Sequence, residues 1–177
     1  MLIESLSGVR AHDKELTSDF VRAYAVAFSQ LVKAKRIVIG RDPRESGKKI
    51  VKEIKKALLE QGIDVIDIGV CPTPTVQFNT HYHIAQGGIS VTASHNPLPW
   101  NGLKFIDNQG MFLDPEKVET LIEKRKDVEN NFPAPVDEEG ELSKDDGIKN
   151  QIESLLTRPY LNVDRIKEKK FKVAFDG

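Results

Sequence analysis

Cysteine is nearly absent from this chain, which has only Cys71 among its 177 residues. One thiol can form neither an internal disulfide nor a thiolate metal cluster, so a reduced, cytoplasmic setting is expected. An excess of one charge is also missing, because 26 Lys and Arg face 27 Asp and Glu, giving a formal net charge of -1. This near balance argues against a nucleic-acid-binding protein and against a protein held to a membrane by basic residues.

Long apolar runs are absent as well. The apolar segment at 36–40 is only as long as a strand, far below the roughly 20 residues of a membrane span. Residues 1–5 have neither the basic nor the apolar region of a secretory signal, so none is expected. Hydrophobic residues still make up 39% of the chain, which is enough for a core. At about 150 residues per domain, the length predicts one domain with a small surplus.

Helical and extended patterns alternate along the first two-thirds of the sequence. Apolar residues at helical spacing predict helices at 20–32, 46–58 and 114–122. The candidate N-cap of the first is Thr17 or Ser18, and that of the second is Ser46. Short apolar segments predict buried strands at 36–40, 63–68 and 89–92. A helix between the last two strands is predicted to start at Thr73-Pro74 and to end at Gly87-Gly88. These units predict parallel crossover connections.

The pattern changes after residue 100. Two short apolar segments, 102–106 and 111–113, flank the turn residues Asp-Asn-Gln-Gly and predict a hairpin, so the sheet is expected to be mixed. Ser143 is predicted to cap a last long helix with an apolar face formed by Ile148, Ile152, Leu155 and Leu156. A short helical arm at 160–166 and an orphan C-terminal strand at 171–175 complete the predicted α/β fold.

Residues 92–97 read Thr-Ala-Ser-His-Asn-Pro and follow a predicted buried strand. In open α/β sheets, ligands bind at the carboxyl ends of the strands. Ser94 could act as a nucleophile or carry a phosphoryl group, with His95 as a proton acceptor or donor and Asn96 orienting an oxygen. Neighbouring strand residues point apart, so Ser94 and His95 can share a ligand only if the backbone bends there. The alternative is an ordinary polar turn, because these residue types are common in loops.

Residues 92–97 also resemble the active-site serine loop of the phosphohexomutase family, which includes phosphoglucomutase, phosphomannomutase and phosphoglucosamine mutase. Other segments are similar in the family's order: the N-terminal loop at 7–10, the strand-to-helix loop at 40–47, the helix start at 73–74 and the segment at 101–105. Together they span residues 5–107. The resemblance implies a three-layer helix/mixed sheet/helix domain.

The same resemblance implies a division of the chain. Residues 1–158 would form domain I, which carries the serine loop. Residues 159–177 would form a linker arm and the first strand of a second domain, because 171–175 followed by Asp176-Gly177 is similar to the opening of that domain.

The resemblance implies that Ser94 is a phosphoserine, which donates a phosphoryl group to a hexose phosphate and later takes one back through a hexose bisphosphate. Its phosphate would be a ligand of Mg²⁺, with aspartates supplied by a later mutase domain. The neighbours implied beside the transferring group are His95, Lys104 and Arg10 as catalytic residues, and Asn96 and Asn101 as contacts of phosphate or substrate.

Two departures from the family pattern matter. Ala11 replaces the usual glycine after the arginine, which bears on the backbone conformation of the N-terminal loop. The three-aspartate motif that would complete the metal site does not occur in these 177 residues, so the chain alone is expected to be inactive. The alternative is a non-catalytic truncated or split mutase module that binds phosphosugar or a complementary chain. A nucleotide-binding domain is disfavoured, because residues 40–49 lack the spacing of a phosphate-binding loop.

Several other polar and aromatic residues are predicted to be structural. Arg41, Asp42 and Arg44 are expected to organise their own loop by ion pairs rather than to touch substrate. Packing is the favoured role for Trp100 and Cys71. The pair His81 and His83 is assigned to the surface, because residues two apart on a helix diverge.

Overall fold

The computed structural model describes residues 2–5 and 8–175. Its strands are β1 (Ile3–Ser5), β2 (Gly8–His12), β3 (Arg36–Arg41), β4 (Asp64–Val70), β5 (Gly87–Val91), β6 (Trp100–Asp107) and β7 (Leu142–Lys144). The helices are α1 (Ser18–Leu31), α2 (Glu45–Leu59), α3 (Thr73–Tyr82), α4 (Pro115–Asn130), α5 (Gly147–Leu156) and α6 (Val163–Lys169). Three residues used in the sequence comparison, Ser7, Asp176 and Gly177, lie outside the described residues.

All of these strands belong to one sheet with the order β1-β2-β6-β5-β3-β4-β7. Strands β5, β3, β4 and β7 run parallel, while β6, β2 and β1 join through antiparallel pairings. The predicted mixed sheet is therefore confirmed. The N-terminal segment, which was compared with a loop, pairs as strands over the described residues of β1 and β2.

Helices cover both faces of the sheet and bury two apolar clusters. The larger cluster lies under α1, α2 and α4 and includes Phe28, Ile54, Ile89 and Leu121, all at most 2% exposed. The smaller lies on the opposite face and includes Val76 of α3. This is the predicted three-layer arrangement, in which strands buried on both faces carry near-continuous apolar residues.

Some helix boundaries follow the predicted caps and others do not. The Thr17 hydroxyl accepts a hydrogen bond from the amide of Phe20, as an N-cap does. Ser46 was wrongly predicted as a cap: α2 begins one residue earlier, and the Ser46 hydroxyl accepts a hydrogen bond from Asn101. Gly87 and Gly88 lie within β5 rather than ending α3, because the sheet needs small residues where Phe28 and Thr80 pack closely against it.

The C-terminal third differs most from expectation. Ser143 belongs to the edge strand β7, and the carboxylate of Asp146 caps α5 by accepting the amide of Lys149. The predicted apolar face of α5 is 42–51% exposed, so it is only partly packed. No strand forms at 171–175 among the described residues, because a strand requires a hydrogen-bonded neighbour that this segment does not find. None of the described helices is both long enough and apolar enough to cross a bilayer.

Candidate active site

The candidate site lies at the carboxyl ends of β3 and β5, from which the chain continues to opposite sides of the sheet. From β3 the chain continues through α2 to β4 on one side, and from β5 it continues to β6 on the other. The carboxyl ends of β3 and β5 are adjacent, because Arg41 is in register with Val91. Such a topological switch point is the usual crevice for a ligand in an open α/β sheet. The loop after β5 carries Ser94.

Ser94 projects from a sharp backbone bend. Its φ of 59° lies in the left-handed region, and its amide donates to the Thr92 hydroxyl at 2.9 Å. The bend brings the Ser94 Oγ within 3.5 Å of Nδ1 of His95, a long contact between two exposed side chains. The sequence required such a bend for the two residues to share a ligand, and the structure has it.

An open cleft of about 450 Å³ adjoins the serine. Its lining includes Ser94, Asn96 and Thr92 from the loop after β5, and Asp42 and Arg44 from the loop after β3. The side-chain oxygen of Asn96 is buried and has no hydrogen-bond partner among the described residues. The amide oxygen is therefore an acceptor that a ligand donor could satisfy. His95, Lys104, Arg10 and Asn101 do not line this cleft.

Asn101 has a different environment from the one expected of a substrate contact. It is fully buried, and its Nδ2 donates to the Ser46 hydroxyl at 2.8 Å. This contact ties the start of α2 to β6. A role for Asn101 in binding phosphate or substrate stays a prediction.

Arg10 and Lys104 are brought together by pairing of distant strands. Arg10 is in register with Gly102, two residues before Lys104, so both cations lie on the same face of the sheet. Gly102 makes room for this arrangement, since a Cβ there would press on the Val9 carbonyl and approach Arg10 Cγ to 3.1 Å. Lys104 itself is in register with Ser90, four residues before Ser94.

The environment of Lys104 disfavours its charged form. Burial, and after it the charge of Arg10, lowers the pKa of Lys104 below its usual value. Its ammonium group lies 5.5 Å from the centre of the Phe112 ring. A half-buried cation beside a second cation is a favourable place for an anion. This pair could therefore stabilise added negative charge.

The loop after β3 contacts the serine loop in addition to forming the predicted ion pair. Arg44 and Asp42 form the expected ion pair, with Nε and Oδ2 separated by 3.1 Å. The guanidinium also donates to main-chain carbonyls of the loop that carries Ser94. The sequence predicts the ion pair but not the contact with the serine loop. The adjacency of β3 and β5 in the sheet is what could have indicated it.

The described residues do not by themselves fit a magnesium site. They contain no cluster of three or more His, Cys, Asp or Glu side chains placed to hold a metal. Asp42 is the carboxylate in the cleft, and its two oxygens accept from the amide and the Nε of Arg44. Mg²⁺ usually binds one or two carboxylates together with phosphate oxygens. At this site, a phosphate on Ser94 could offer one ligand, and further carboxylates would have to come from elsewhere.

The residues set aside in the sequence have structural environments. Cys71 is buried, and this burial, with a smaller effect of the Asp67 charge, raises the pKa of its thiol to about 11. His83 Nε2 lies 3.0 Å from a carboxylate oxygen of Asp145. Trp100 packs against His12 with a ring separation of 5.0 Å. These placements agree with the structural roles expected for Cys71 and Trp100.

Comparison with known families identifies the architecture. Residues 4–131 match the family model described as phosphoglucomutase/phosphomannomutase, alpha/beta/alpha domain I. The chain belongs to this family. The five segments compared between residues 7 and 105, including the Ser94 loop, fall within the matched range, so the resemblance to the family is confirmed.

Relatives extend the match over more of the chain. A phosphoglucomutase/phosphomannomutase of Thermococcus kodakarensis is 38% identical over 175 residues, which is 96% of this chain and 38% of the relative. A probable phosphoglucosamine mutase of Pyrococcus abyssi is 36% identical over 151 residues, or 85% of this chain and 33% of the relative. The chain therefore spans less than two-fifths of the length of these relatives.

A solved structure shows the same fold in a family member. The crystal structure of a phosphoglucomutase/phosphomannomutase family protein from Burkholderia thailandensis superposes with a TM-score of 0.72 and 26% sequence identity. The superposition covers 89% of this chain and 38% of that one. Since the relatives are named as mutases, the non-catalytic alternative is not favoured.

Proposed function

We propose that this chain is the part of a phosphohexomutase that carries the phosphoryl group, and that Ser94 is the carrier. The observation that supports this most directly is the exposed Ser94 hydroxyl, which projects from a bend into the cleft at the switch point. In this proposal the phosphoserine donates to a hexose phosphate. The resulting hexose bisphosphate then returns its other phosphoryl group to Ser94.

Each half of the proposed reaction balances. In the first half, the bond between phosphorus and Ser94 Oγ breaks while phosphorus bonds to a sugar hydroxyl oxygen. The proton of that sugar hydroxyl is lost, and Ser94 Oγ gains a proton. In the second, Ser94 Oγ bonds to the other phosphorus of the bisphosphate, and its proton passes to the oxygen that is released. His95 is the proposed proton acceptor and donor, because its Nδ1 is 3.5 Å from the serine oxygen.

Arg10 and Lys104 are the proposed electrostatic stabilisers of the transferring group. Phosphoryl transfer depends on positioning and on cations near the phosphate oxygens. Burial and then the charge of Arg10 lower the pKa of Lys104, and a phosphate nearby would offset both effects by favouring the charged form, which supports this role. Asn96 is the proposed contact of phosphate or substrate, through its unpartnered buried oxygen.

Other parts of the proposed reaction would be supplied from outside these 177 residues. Mg²⁺ would bind the Ser94 phosphate together with carboxylates from the rest of a full-length mutase. Residues 1–158 would act as domain I and residues 159–177 as the connection to a second domain. We expect a cytoplasmic enzyme that acts on hexose phosphates, and negligible turnover by the 177-residue chain alone.

Intact-protein mass spectrometry tests the carrier role. The test protein is a hybrid in which this chain replaces the matched segment of the Thermococcus kodakarensis relative, with cooperative unfolding as proof that it folds. Incubation with glucose 1,6-bisphosphate and Mg²⁺ should add the mass of one phosphoryl group. Ser94→Ala should abolish the gain, whereas Ser143→Ala, at an exposed serine of β7, should retain it. Phosphorylation of Ser94→Ala to the same extent would exclude Ser94 as carrier.

A turnover assay tests the expected incompleteness of the chain. The 177-residue protein should convert glucose 1-phosphate to glucose 6-phosphate no faster than its Ser94→Ala variant. A rate that is measurable and depends on Ser94 would contradict the need for further domains.

A further inference from the structure

The guanidinium group of Arg44 is bonded to the serine loop at three points. It donates to the main-chain carbonyls of Ser94 at 3.1 Å, Asn96 at 2.6 Å and Trp100 at 3.1 Å. The first two carbonyls lie on the outgoing side of the loop, and the third lies where the chain re-enters the sheet as β6. One side chain therefore holds both sides of the loop.

Asp42 holds Arg44 in the orientation that these contacts need. Its carboxylate accepts from Arg44 Nε at 3.1 Å and from the Arg44 amide at 3.0 Å. The Asp42 amide in turn donates to the carbonyl of Val91, the last residue of β5, at 3.0 Å. The Arg44 side chain is 15% exposed. Arg44 is thus fixed to the carboxyl ends of β3 and β5.

The loop needs an external support because its own bonds are mostly local. The amide of Ser94 donates to Thr92, that of Asn96 to Ala93, and that of Trp100 to Pro97. Two connections are of longer range: the amide of Asp13 donates to the Pro99 carbonyl, and the amide of Thr92 donates to the Gly102 carbonyl at the base of the loop. The left-handed conformation of Ser94 is unfavourable for a residue with a Cβ, so the surroundings must impose it.

The charge of Arg44 is compensated where it lies. Both carboxylate oxygens of its ion-pair partner Asp42 accept from Arg44, and both terminal guanidinium nitrogens donate to carbonyl oxygens of the serine loop. Arg44 is therefore committed to the protein backbone rather than to a phosphate. This separates it from Arg10 and Lys104, which carry the proposed electrostatic role.

We propose that Arg44 is a positioning residue that holds Ser94 in its left-handed, cleft-facing conformation by clamping the carbonyls of Ser94, Asn96 and Trp100. The catalytic consequence rests on the proposed carrier role of Ser94. Arg44 acts through the loop and does not touch the phosphoryl group. A planar guanidinium can supply donors in three directions at once, which an ammonium group at the end of a flexible chain cannot reproduce.

Amide hydrogen exchange on the 177-residue chain tests the clamp without any assumption about catalysis. In Arg44→Lys, which keeps the charge, the loop amides of Ser94, Asn96 and Trp100 should exchange about tenfold faster or more, because opening of the loop becomes easier. Exchange in β3 and β5 should stay unchanged. The matched control is Arg22→Lys, since Arg22 is also ion-paired, 2.7 Å from Glu60, and 23% exposed.

A second variant guards against a general loss of structure. Asp42→Asn leaves Arg44 in place but weakens the support of its guanidinium, and it should speed exchange of the same three amides by a smaller factor. Loop exchange in Arg44→Lys that equals the parent would overturn the proposal. Faster exchange spread evenly over the whole chain would overturn it too, because that is the result of general destabilisation.

Phosphoryl uptake separates this proposal from the carrier role. In the hybrid protein, Arg44→Lys should phosphorylate Ser94 about 10- to 100-fold more slowly at saturating glucose 1,6-bisphosphate, since misplacement by about 1 Å has effects of this size. The half-saturating concentration should change less than about threefold. An unchanged rate would contradict Arg44 as a positioning residue. If no variant takes up phosphate, the carrier role fails, and hydrogen exchange still decides the clamp.

Discussion

At the scale of single residues, the backbone at Ser94 has a measurable energetic cost. A side chain in the left-handed region costs about 1 kcal/mol or more relative to glycine, because its Cβ approaches the following carbonyl. Strain of this kind is typical of functional sites and persists only where the surroundings impose it. Ser94 combines it with an exposed hydroxyl.

Replacing Ser94 by glycine and by alanine should therefore have different effects on stability. Both variants lose the hydroxyl, but only glycine relieves the strain at a φ of 59°. We expect the free energy of unfolding of Ser94→Gly to exceed that of Ser94→Ala by about 1 kcal/mol. Urea denaturation of the two variants at one pH measures this difference. Equal midpoints and equal slopes would mean that the left-handed conformation is not populated in solution.

The local chemistry of the serine loop can be predicted from the sequence. Ser94 and His95 were identified as neighbours at a strand end, and the need for a bend between them followed from strand geometry alone. The role of Asn101 as a ligand contact was implied by the family resemblance and stays a prediction. The structure adds that its Nδ2 donates inward to the Ser46 hydroxyl, a contact between distant segments that no local pattern indicates.

At the scale of elements, one buried cation joins α4 to the edge strand β1. Arg125 is 8% exposed and forms ion pairs with Glu4 of β1 at 3.3 Å and Glu129 at 2.5 Å. Its guanidinium also lies 5.2 Å from the centre of the Phe20 ring and 5.4 Å from that of Tyr24 in α1. Three elements therefore depend on one side chain.

Arg125→Met should destabilise the fold substantially. Methionine keeps part of the apolar contact with α1 but leaves Glu4 without its cation, and breaking such a pair is strongly unfavourable. We expect a loss of about 2–3 kcal/mol in the free energy of unfolding, measured by thermal and urea denaturation. Lys149→Met is the control, because its ion pair with Glu153 is long and exposed and should matter by less than about 0.5 kcal/mol. Similar losses in the two variants would refute the role of burial.

Helix boundaries show what local sequence can and cannot decide. Thr17 caps α1 as expected, because capping depends on residues within one turn. Ser46 does not cap α2, because a distant strand residue recruits its hydroxyl. The edge strand β7 was missed, since three exposed residues carry no alternating pattern and pair only because β4 lies beside them.

At the scale of the whole molecule, stability should depend on pH in the alkaline range. The folded state raises the pKa of Cys71 from 9.0 to about 11, chiefly by burial. The neutral thiol is thus favoured by folding, and this contribution is complete below pH 9. It is lost as the pH rises from 9 to 11, when the unfolded chain releases the proton first.

The corresponding prediction concerns the slope of stability against pH. The free energy of unfolding of the parent should fall between pH 9 and pH 11, and Cys71→Ala should remove roughly 2–3 kcal/mol of that fall. Tyr24 contributes in the same direction, because burial and then its hydrogen bond to Glu4 raise its pKa, so some decline should remain in the variant. Urea denaturation at several pH values measures both slopes. Parallel curves for parent and variant would refute the assignment to Cys71.

The sequence by itself determined the alternation of strands and helices, the burial of the central strands and the position of Ser94 after one of them. These features depend on periodicity and turn chemistry within short segments. Only the tertiary structure decided that β3 lies beside β5, so that Arg44 holds the serine loop, and that β2 lies beside β6, so that Arg10 lies near Lys104. Strand order and register arise from packing between residues far apart in the chain, which no local pattern encodes.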